Sequence, residues 1–397
     1  MTKRPDSSAT GHGFRSVRLG YGFGGPAQSG AQMDQSLFAV LAAVRDHGSI
    51  GQAAKALDRS YRFVWGSLRQ WESELGEPLV SWTQGQAARL TDFAERLLWA
   101  EMRARKRMQP HIEALRADLE KVLQEARDGR HQLLRICASH DLALPQLREH
   151  AAGLGLDVDL HFQGSIDAVR SLNSGRCLLA GFHVPALRGA APGFAAALKP
   201  LLRPGVHKLI GCSRRTQGLM MRKEHAQAVR GVGDLAGTAL RFVNRQTGSG
   251  TRLLMDHLLR AQALSARDID GYESCVEESH VAVAACVASG VADVGPGVEA
   301  AALEFGLHFV PLVEEDYFLA CLKQNLRHPA VLQLCELLAG RAWGCVLLSL
   351  PGYAPARSPG RVLAMASELP WWQFGRPKLK SAAGASGEHA AKVTDTE

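Results

Sequence analysis

The strongest pattern in the chain is helical and falls early. Met33 to Arg45 puts Leu37, Val40, Leu41 and Val44 on one stripe, the spacing of a helix with one buried side. Gly48 to Val80 then predicts two short helices around a tight turn. Ser49 is an N-cap residue before Ile50, Ala53, Ala54 and Leu57, and Asp58 and Arg59 make the turn. Ser60 caps the second helix, which carries Val64, Leu68, Trp71 and Leu75 on its inner side and Tyr61, Arg62, Trp65 and Arg69 outside. Two readings fit. One is a recognition helix that offers cationic donors to a major groove; the other is a helical hairpin with a solvated basic face. Beyond Gly76 and Pro78, PLVSWTQGQAARLT alternates like two short strands around Gln84-Gly85-Gln86. This is a wing, with Arg89 in reach of a phosphate, or a plain surface hairpin.

From Thr91 the period is helical again, with Phe93, Leu97, Ala100 and Ala104 recurring and Asp92 and Glu95 near the N-terminus, where the helix dipole favours them. Pro110 is expected to interrupt. Ile112, Leu115, Leu119 and Val122 follow at 3-4-3 spacing, a short seam that suits a linker and dimerisation helix, or a helix packed on its own domain. The polar run EARDGRH, Glu125 to His131, marks a boundary. Strands and helices then alternate for about 200 residues, which predicts an α/β architecture with a largely parallel sheet in two lobes. Residues 1–32 and the tail from Arg376 have the composition of disordered segments. The expected division is a disordered arm (1–32), a helical reader with its hairpin (33–90), a linker and dimerisation helix (91–130), the α/β body (131–350) and a C-terminal extension with a disordered tail (351–397).

Composition changes this picture little. At 397 residues, 46% hydrophobic and 21% charged, the chain has material for several folded domains, and a net charge of +7 permits nucleic-acid binding without requiring it. It has no apolar run of roughly 18 residues, so neither a membrane span nor a membrane partner is expected. The polar, Gly-rich start lacks a secretory h-region, and a cytoplasmic location is expected. Eight scattered cysteines without a CxxC pair predict buried free thiols and no metal site.

Candidate chemistry gathers at strand-to-helix junctions of the α/β half, where open sheets bind ligands. Ser139-His140-Asp141 is one and Gly164-Ser165 a second. The richest is Asn244 to Arg252, NRQTGSGTR: Gly248 and Gly250 allow close backbone approach, Thr247, Ser249 and Thr251 supply hydroxyls, and Arg245 and Arg252 supply charge. That is an oxyanion cradle at a helix N-terminus, or a capped turn that needs its glycines. Glu277-Glu278-Ser279-His280 would face the same cleft. No catalytic set is evident: GxSxG and HExxH are absent, and adjacent Ser139, His140 and Asp141 lack the geometry of a triad, whose members converge from different elements. No enzymatic activity is expected.

Two resemblances follow from these stretches. GSIGQAAKALDRSYRFVWGSLRQWESELGEPLV with ARLTDFAERLL resembles the winged helix-turn-helix of the ModE and LysR-type transcription regulators. FQGSIDAVRSLNSG, GFHVP, FVNRQTGSGTRLLMDHLL and ESHVAVAACVASGVADVGPGV resemble periplasmic-binding-protein-like domains of the tungstate and molybdate branch. Together they imply a multidomain chain: an all-α winged helix-turn-helix with a linker helix, then a two-lobed α/β binding domain. By position, Ser49, Ser60, Tyr61, Arg62, Trp65, Arg69 and Arg89 would meet DNA. Ser139, Ser165, Arg245, Thr247, Gly248, Ser249, Gly250, Thr251, Arg252, Glu278, Ser279 and His280 would surround a ligand. ModE senses molybdate with small β-barrel modules that this chain lacks, so its ligand does not carry over through the DNA-binding half.

The implied function is a one-component regulator, a homodimer or tetramer on a double-stranded operator. It would require no cofactor and sense a small anionic effector: molybdate, tungstate or the molybdenum cofactor. Its targets would be molybdenum or tungsten enzyme or uptake genes. Two alternatives compete, an enzyme acting on a small phosphorylated substrate in the same cleft and a cytosolic oxyanion-binding protein.

Overall fold

The computed structural model describes residues 23–24, 32–33, 35–81, 87–125, 133–187 and 192–372. The Gln84-Gly85-Gln86 turn, most of the boundary after Glu125 and the expected disordered tail lie outside those residues. So does the expected disordered arm, except for an antiparallel pair of two-residue strands, β1 (Phe23–Gly24) and β2 (Gln32–Met33).

The N-terminal body is three helices, α1 (Gln35–His47), α2 (Ile50–Ala56) and α3 (Tyr61–Leu75), followed by β3 (Val80–Ser81) and β4 (Arg89–Leu90). The Ser49 side chain accepts from the Gln52 N–H and Ser60 from the Phe63 N–H, so both expected caps form. Asp58 reverses the chain at φ 52°, a left-handed conformation that Asp tolerates better than most residues. Gly76 ends α3 at φ 72°, donating to the Glu72 carbonyl. Leu37, Leu41, Val44, Ile50, Ala53, Val64 and Leu68 close one core together with Leu79 from the hairpin and Ala94 and Leu98 from the next helix. That helix, α4 (Asp92–Glu125), is 34 residues long and continues through Pro110, where a break was expected. A proline removes one helical hydrogen bond and crowds the preceding turn. Here Arg107, one turn before it, is anchored on the neighbouring domain through Glu277.

The second body runs β5 (Leu133–Ala138), α5 (Ala143–Gly153), β6 (Asp157–Phe162), α6 (Ser165–Asn173), β7 (Leu179–Pro185), α7 (Pro192–Leu198) and β8 (His207–Met221). It continues with β9 (Asn244–Arg245), α8 (Gly250–Ala261), β10 (Val276–Glu277), α9 (His280–Ala288), β11 (Val294–Val298), α10 (Glu299–Glu304) and β12 (His308–Leu322). Then come α11 (Pro329–Ala339), α12 (Arg341–Leu348), β13 (Tyr353–Pro355), β14 (Val362–Leu363) and α13 (Met365–Glu368). The main sheet has the order β11-β8-β12-β7-β5-β6.

This sheet is mixed, not largely parallel. Only β5 runs parallel to its neighbours β6 and β7. The two 15-residue strands β8 and β12 pair antiparallel along their length, from His207 opposite Leu322 to Met221 opposite His308. Each spans both lobes in opposite directions, and that fixes their antiparallel sense. One lobe holds β5, β6 and β7; the other holds β11 and the parallel pair β9–β10, tied together by a bridge between Phe242 and Val294. Strand β8 outruns the expected HKLIGCS segment: in its polar half Ser213, Arg215 and Gln217 are buried, while Arg214 and Thr216 between them are half-buried. The sheet also reaches past residue 350: β13 and β14 both pair with β8, so the start of the expected C-terminal extension belongs to the α/β body.

Candidate functional site

On the outside of α3, Arg62, Gly66 and Arg69 stand at i, i+4 and i+7 and share one face. Tyr61 is 51% exposed and stacks on Trp65 with ring centroids 6.5 Å apart. Arg69 lies over the other side of that indole, 4.4 Å from its centroid, and donates to Glu72 Oε2 at 3.0 Å. The second Glu72 oxygen accepts from the backbone of Leu79 at 2.8 Å and Val80 at 3.3 Å, where the hairpin begins. Arg69 is therefore a held side chain that links the helix face to the hairpin, whereas Arg62 is exposed. Ser49 and Ser60 have their oxygens engaged as caps. Arg89 is exposed on β4, next to the turn that lies outside the described residues. Two residues of this surface escaped the sequence reading: Phe63, half exposed, and Arg59, whose guanidinium sits 5.6 Å from the Phe63 ring centroid. Their signal was local, since a large aromatic off the apolar stripe of an amphipathic helix has no buried place to go.

The α/β body closes on a cavity of about 50 Å³ lined by Ser139, His140, Phe162, Gln163 and Gly164 from one lobe and Arg245, Gln246, Ser249 and Glu278 from the other. All four expected junctions reach it: Ser139-His140, the start of α6, the Asn244–Arg252 loop and Glu278. The lobes touch at glycines. A Cβ on Gly164 would stand 3.4 Å from the Gly248 carbonyl oxygen, and one on Gly250 would stand 3.5 Å from Ser165 Oγ. These contacts bring the N-termini of α6 and α8 together, each with unsatisfied N–H groups and partial positive charge. Ser249 caps α8 by accepting from the Arg252 N–H, and Ser279 caps α9 by accepting from the Ala282 N–H.

Arg245 is the charge at this site. It is buried, its Nη2 donates to the Glu278 carbonyl at 2.7 Å, and its Nε has no hydrogen-bond partner among the described residues. Burial, then the nearby Arg215, drives its pKa down to about 9, which leaves it ionised at neutral pH. Burial, then the Arg245 charge, lowers His140 to about 4, so that ring is neutral and stacks on Phe162 at 4.6 Å. His280 is pushed well below its ordinary value by burial, then by Arg245, and both its ring nitrogens lack partners among the described residues.

Arg252 does not join this lining. It donates to Asp256 and Glu273 and lies over the Tyr272 ring, so it fixes α8 to the loop beneath it. Thr247 is exposed, and Thr251, Ser165 and Ser279 are buried behind the lining. The cavity floor holds a polar network that local sequence could not reveal. Asp141 Oδ2 accepts from Arg215 at 2.8 Å and Tyr353 at 3.1 Å, and lies 3.1 Å from His183 Nε2. Arg215 also binds Glu315, and Ser139 Oγ lies 3.1 Å from His183 Nδ1. Ser139, His183 and Asp141 thus form a chain that looks like a nucleophile, base and acid. Its electrostatics are wrong for that work, because a general base must become a cation. Burial and Arg215 both lower the His183 pKa, and Asp141, although burial opposes its ionisation, is already neutralised by Arg215. The chain is a structural brace.

Sequence comparison agrees with this architecture. Residues 36–95 match the bacterial regulatory helix-turn-helix family of lysR type, and residues 146–339 match the PBP superfamily domain. The chain thus carries a lysR-type helix-turn-helix segment followed by a PBP superfamily domain. The chain belongs to the same family as "Uncharacterized protein YvgK" of Bacillus subtilis, to which it is 30% identical over 237 residues, 59% of this chain and 74% of that protein. A Clostridium pasteurianum protein, "Uncharacterized protein in ferredoxin 2Fe-2S gene 5'region", is 33% identical over 103 residues, 25% of this chain and 89% of that one. Among solved structures, a hydrogen-peroxide-bound cysteine mutant of Corynebacterium glutamicum OxyR aligns at TM-score 0.42 and 15% identity, over 79% of this chain and 93% of that one.

Proposed function

We propose that the chain is a transcription regulator that works in the cytoplasm, engages operator DNA through the outer face of α3, and closes its two lobes on a small oxyanion of the molybdate or tungstate type. The observation that carries the ligand reading is Arg245, a buried guanidinium with an unpaired Nε on a cavity where two helix N-termini converge. The molybdenum cofactor, a larger anion, is the other ligand of this reading. Ser139, Gln163, Gln246 and Ser249 can donate to such an anion, and Glu278 sits at the rim. The genes controlled would then be those for molybdenum or tungsten enzymes or uptake.

On the DNA side, Arg62 supplies the free cation, Tyr61 and Trp65 an aromatic edge, and the caps Ser49 and Ser60 order the backbone. Titration calorimetry with molybdate, tungstate, sulfate and purified molybdenum cofactor tests the ligand; heat from one of the first two is expected, and silence from all four removes the oxyanion reading. A gel-shift assay with DNA upstream of the protein's own gene tests the reader. Arg62→Ala should weaken binding about tenfold and lower the salt slope by about one if Arg62 meets a phosphate. Unchanged binding takes α3 out of the interface.

A further inference from the structure

We propose that Arg107, on the linker helix α4, is a positioning residue of the effector cleft, so that the helix carrying the DNA reader also braces the strand behind the ligand site. The proposal rests on the cleft reading above and adds how that site is regulated.

Glu277 is buried, and its carboxylate accepts Arg107 Nε at 2.8 and 2.9 Å on its two oxygens and Arg107 Nη2 on one of them. Cys286 Sγ of α9 adds a further contact at 3.1 Å. One residue on, the Glu278 carboxylate lies 3.4 Å from His111 Nε2, and His111 lies one helical turn from Arg107 on the same face of α4. The linker therefore holds Glu277 of β10 and touches Glu278, the residue that follows it. The opposite side of that strand is the cleft: the Glu277 carbonyl accepts from the Gln246 N–H at 3.1 Å, and the Glu278 carbonyl accepts from Arg245 at 2.7 Å. Arg245, Gln246 and Glu278 all line the cavity.

One strand thus separates an anion at Arg245 from the linker guanidinium. At its other end α4 is part of the reader, because Ala94 and Leu98 are buried in the helix-turn-helix core. Arg107 lies only nine residues from Leu98, about 13 Å along a helix. An anion that draws Arg245 toward itself loosens its bond to the Glu278 carbonyl and so moves the strand that α4 holds. Linkage makes the effect reciprocal: a linker posture imposed by DNA must change anion affinity by the same factor.

Hydrogen exchange on the full-length protein tests this without any ligand. Arg107→Ala should speed amide exchange at residues 246–249 and 277–279 about tenfold, with α2 and α6 unchanged. Arg107→Lys should restore most of the protection. Lys106→Ala breaks the neighbouring pair with Glu304, 2.7 Å apart in the same contact, and should leave the cleft amides alone. Glu277→Gln removes the buried charge along with its partner's role and should behave like Arg107→Ala. If the cleft amides of Arg107→Ala match wild type, or if Lys106→Ala disturbs them equally, the positioning role falls. Titration of both proteins with molybdate and then tungstate separates the two proposals: a shifted dissociation constant supports both, while silence of wild type toward both anions counts against the oxyanion reading and leaves the exchange result to decide the coupling.

Discussion

Gly66 sits in the middle of α3, and nothing lies within 4 Å of where its Cβ would be. A glycine inside a helix costs about 1 kcal/mol relative to alanine, and no internal contact here accounts for it. Its neighbours on the surface are Arg62 one turn before and Arg69 three residues after, with the Trp65 ring alongside. A missing side chain between two cations lets a duplex come closer to the helix axis. Gly66→Ala should therefore do two opposite things. Chemical denaturation of the free protein should show it more stable by about 1 kcal/mol, while a gel-shift titration should show weaker operator binding. A variant that gains stability and keeps its affinity would mean that the groove does not use the notch.

Among the elements, α4 has the clearest unfinished business. Leu115 is 57% exposed and Leu119 is 47% exposed on its second half, where the sequence pattern predicts a seam. Two exposed leucines one turn apart on a helix fit a second copy of the same helix. Replacing both with Glu should shift the molar mass measured by light scattering to that of a smaller species and weaken operator binding through lost avidity. Undiminished mass would place the oligomer contact elsewhere. The comparison of α3 with β8 shows what sequence can and cannot carry. The caps Ser49 and Ser60, the stripe Val64, Leu68 and Trp71, and the loop glycines act through near neighbours, so the chain order displays them. Strand β8 is illegible by the same rule. Its Ser213, Arg215 and Gln217 are polar yet buried, because Arg215 meets Asp141 and Glu315 from 74 and 100 residues away. The same distance effect hid the partner of Glu277, whose cation lies 170 residues back, whereas Arg252 has one partner, Asp256, only a helical turn away and a second, Glu273, 21 residues on.

At the scale of the whole molecule, the lobes close over a buried polar floor, and that arrangement sets a pH limit on the fold. His140 titrates at about 4 in the folded protein, and His183 and His280 are also lowered, in every case first by burial. An unfolded chain binds those protons near pH 6.5. Between these values the unfolded state holds more protons than the folded one, so stability rises with pH in this range. It is fully present above about pH 6.5 and lost as the pH falls toward 4, with each histidine adding up to about 1.4 kcal/mol per pH unit. Asp141 acts in the same direction at lower pH, since its carboxyl is held below the usual range by hydrogen bonding to His183 and by the Arg215 charge against the opposing effect of burial. Urea midpoints measured at pH 7.5, 6 and 5 should therefore fall steeply. His280→Asn, which removes one of the three groups, should make that slope shallower by about one proton. An anion in the cleft should blunt the fall further, because a negative charge beside Arg245 favours protonation of the neighbouring His140. Midpoints that stay level from pH 7.5 to 5 would mean that these histidines find protons or water in the folded state, and that the floor beneath Arg245 is open.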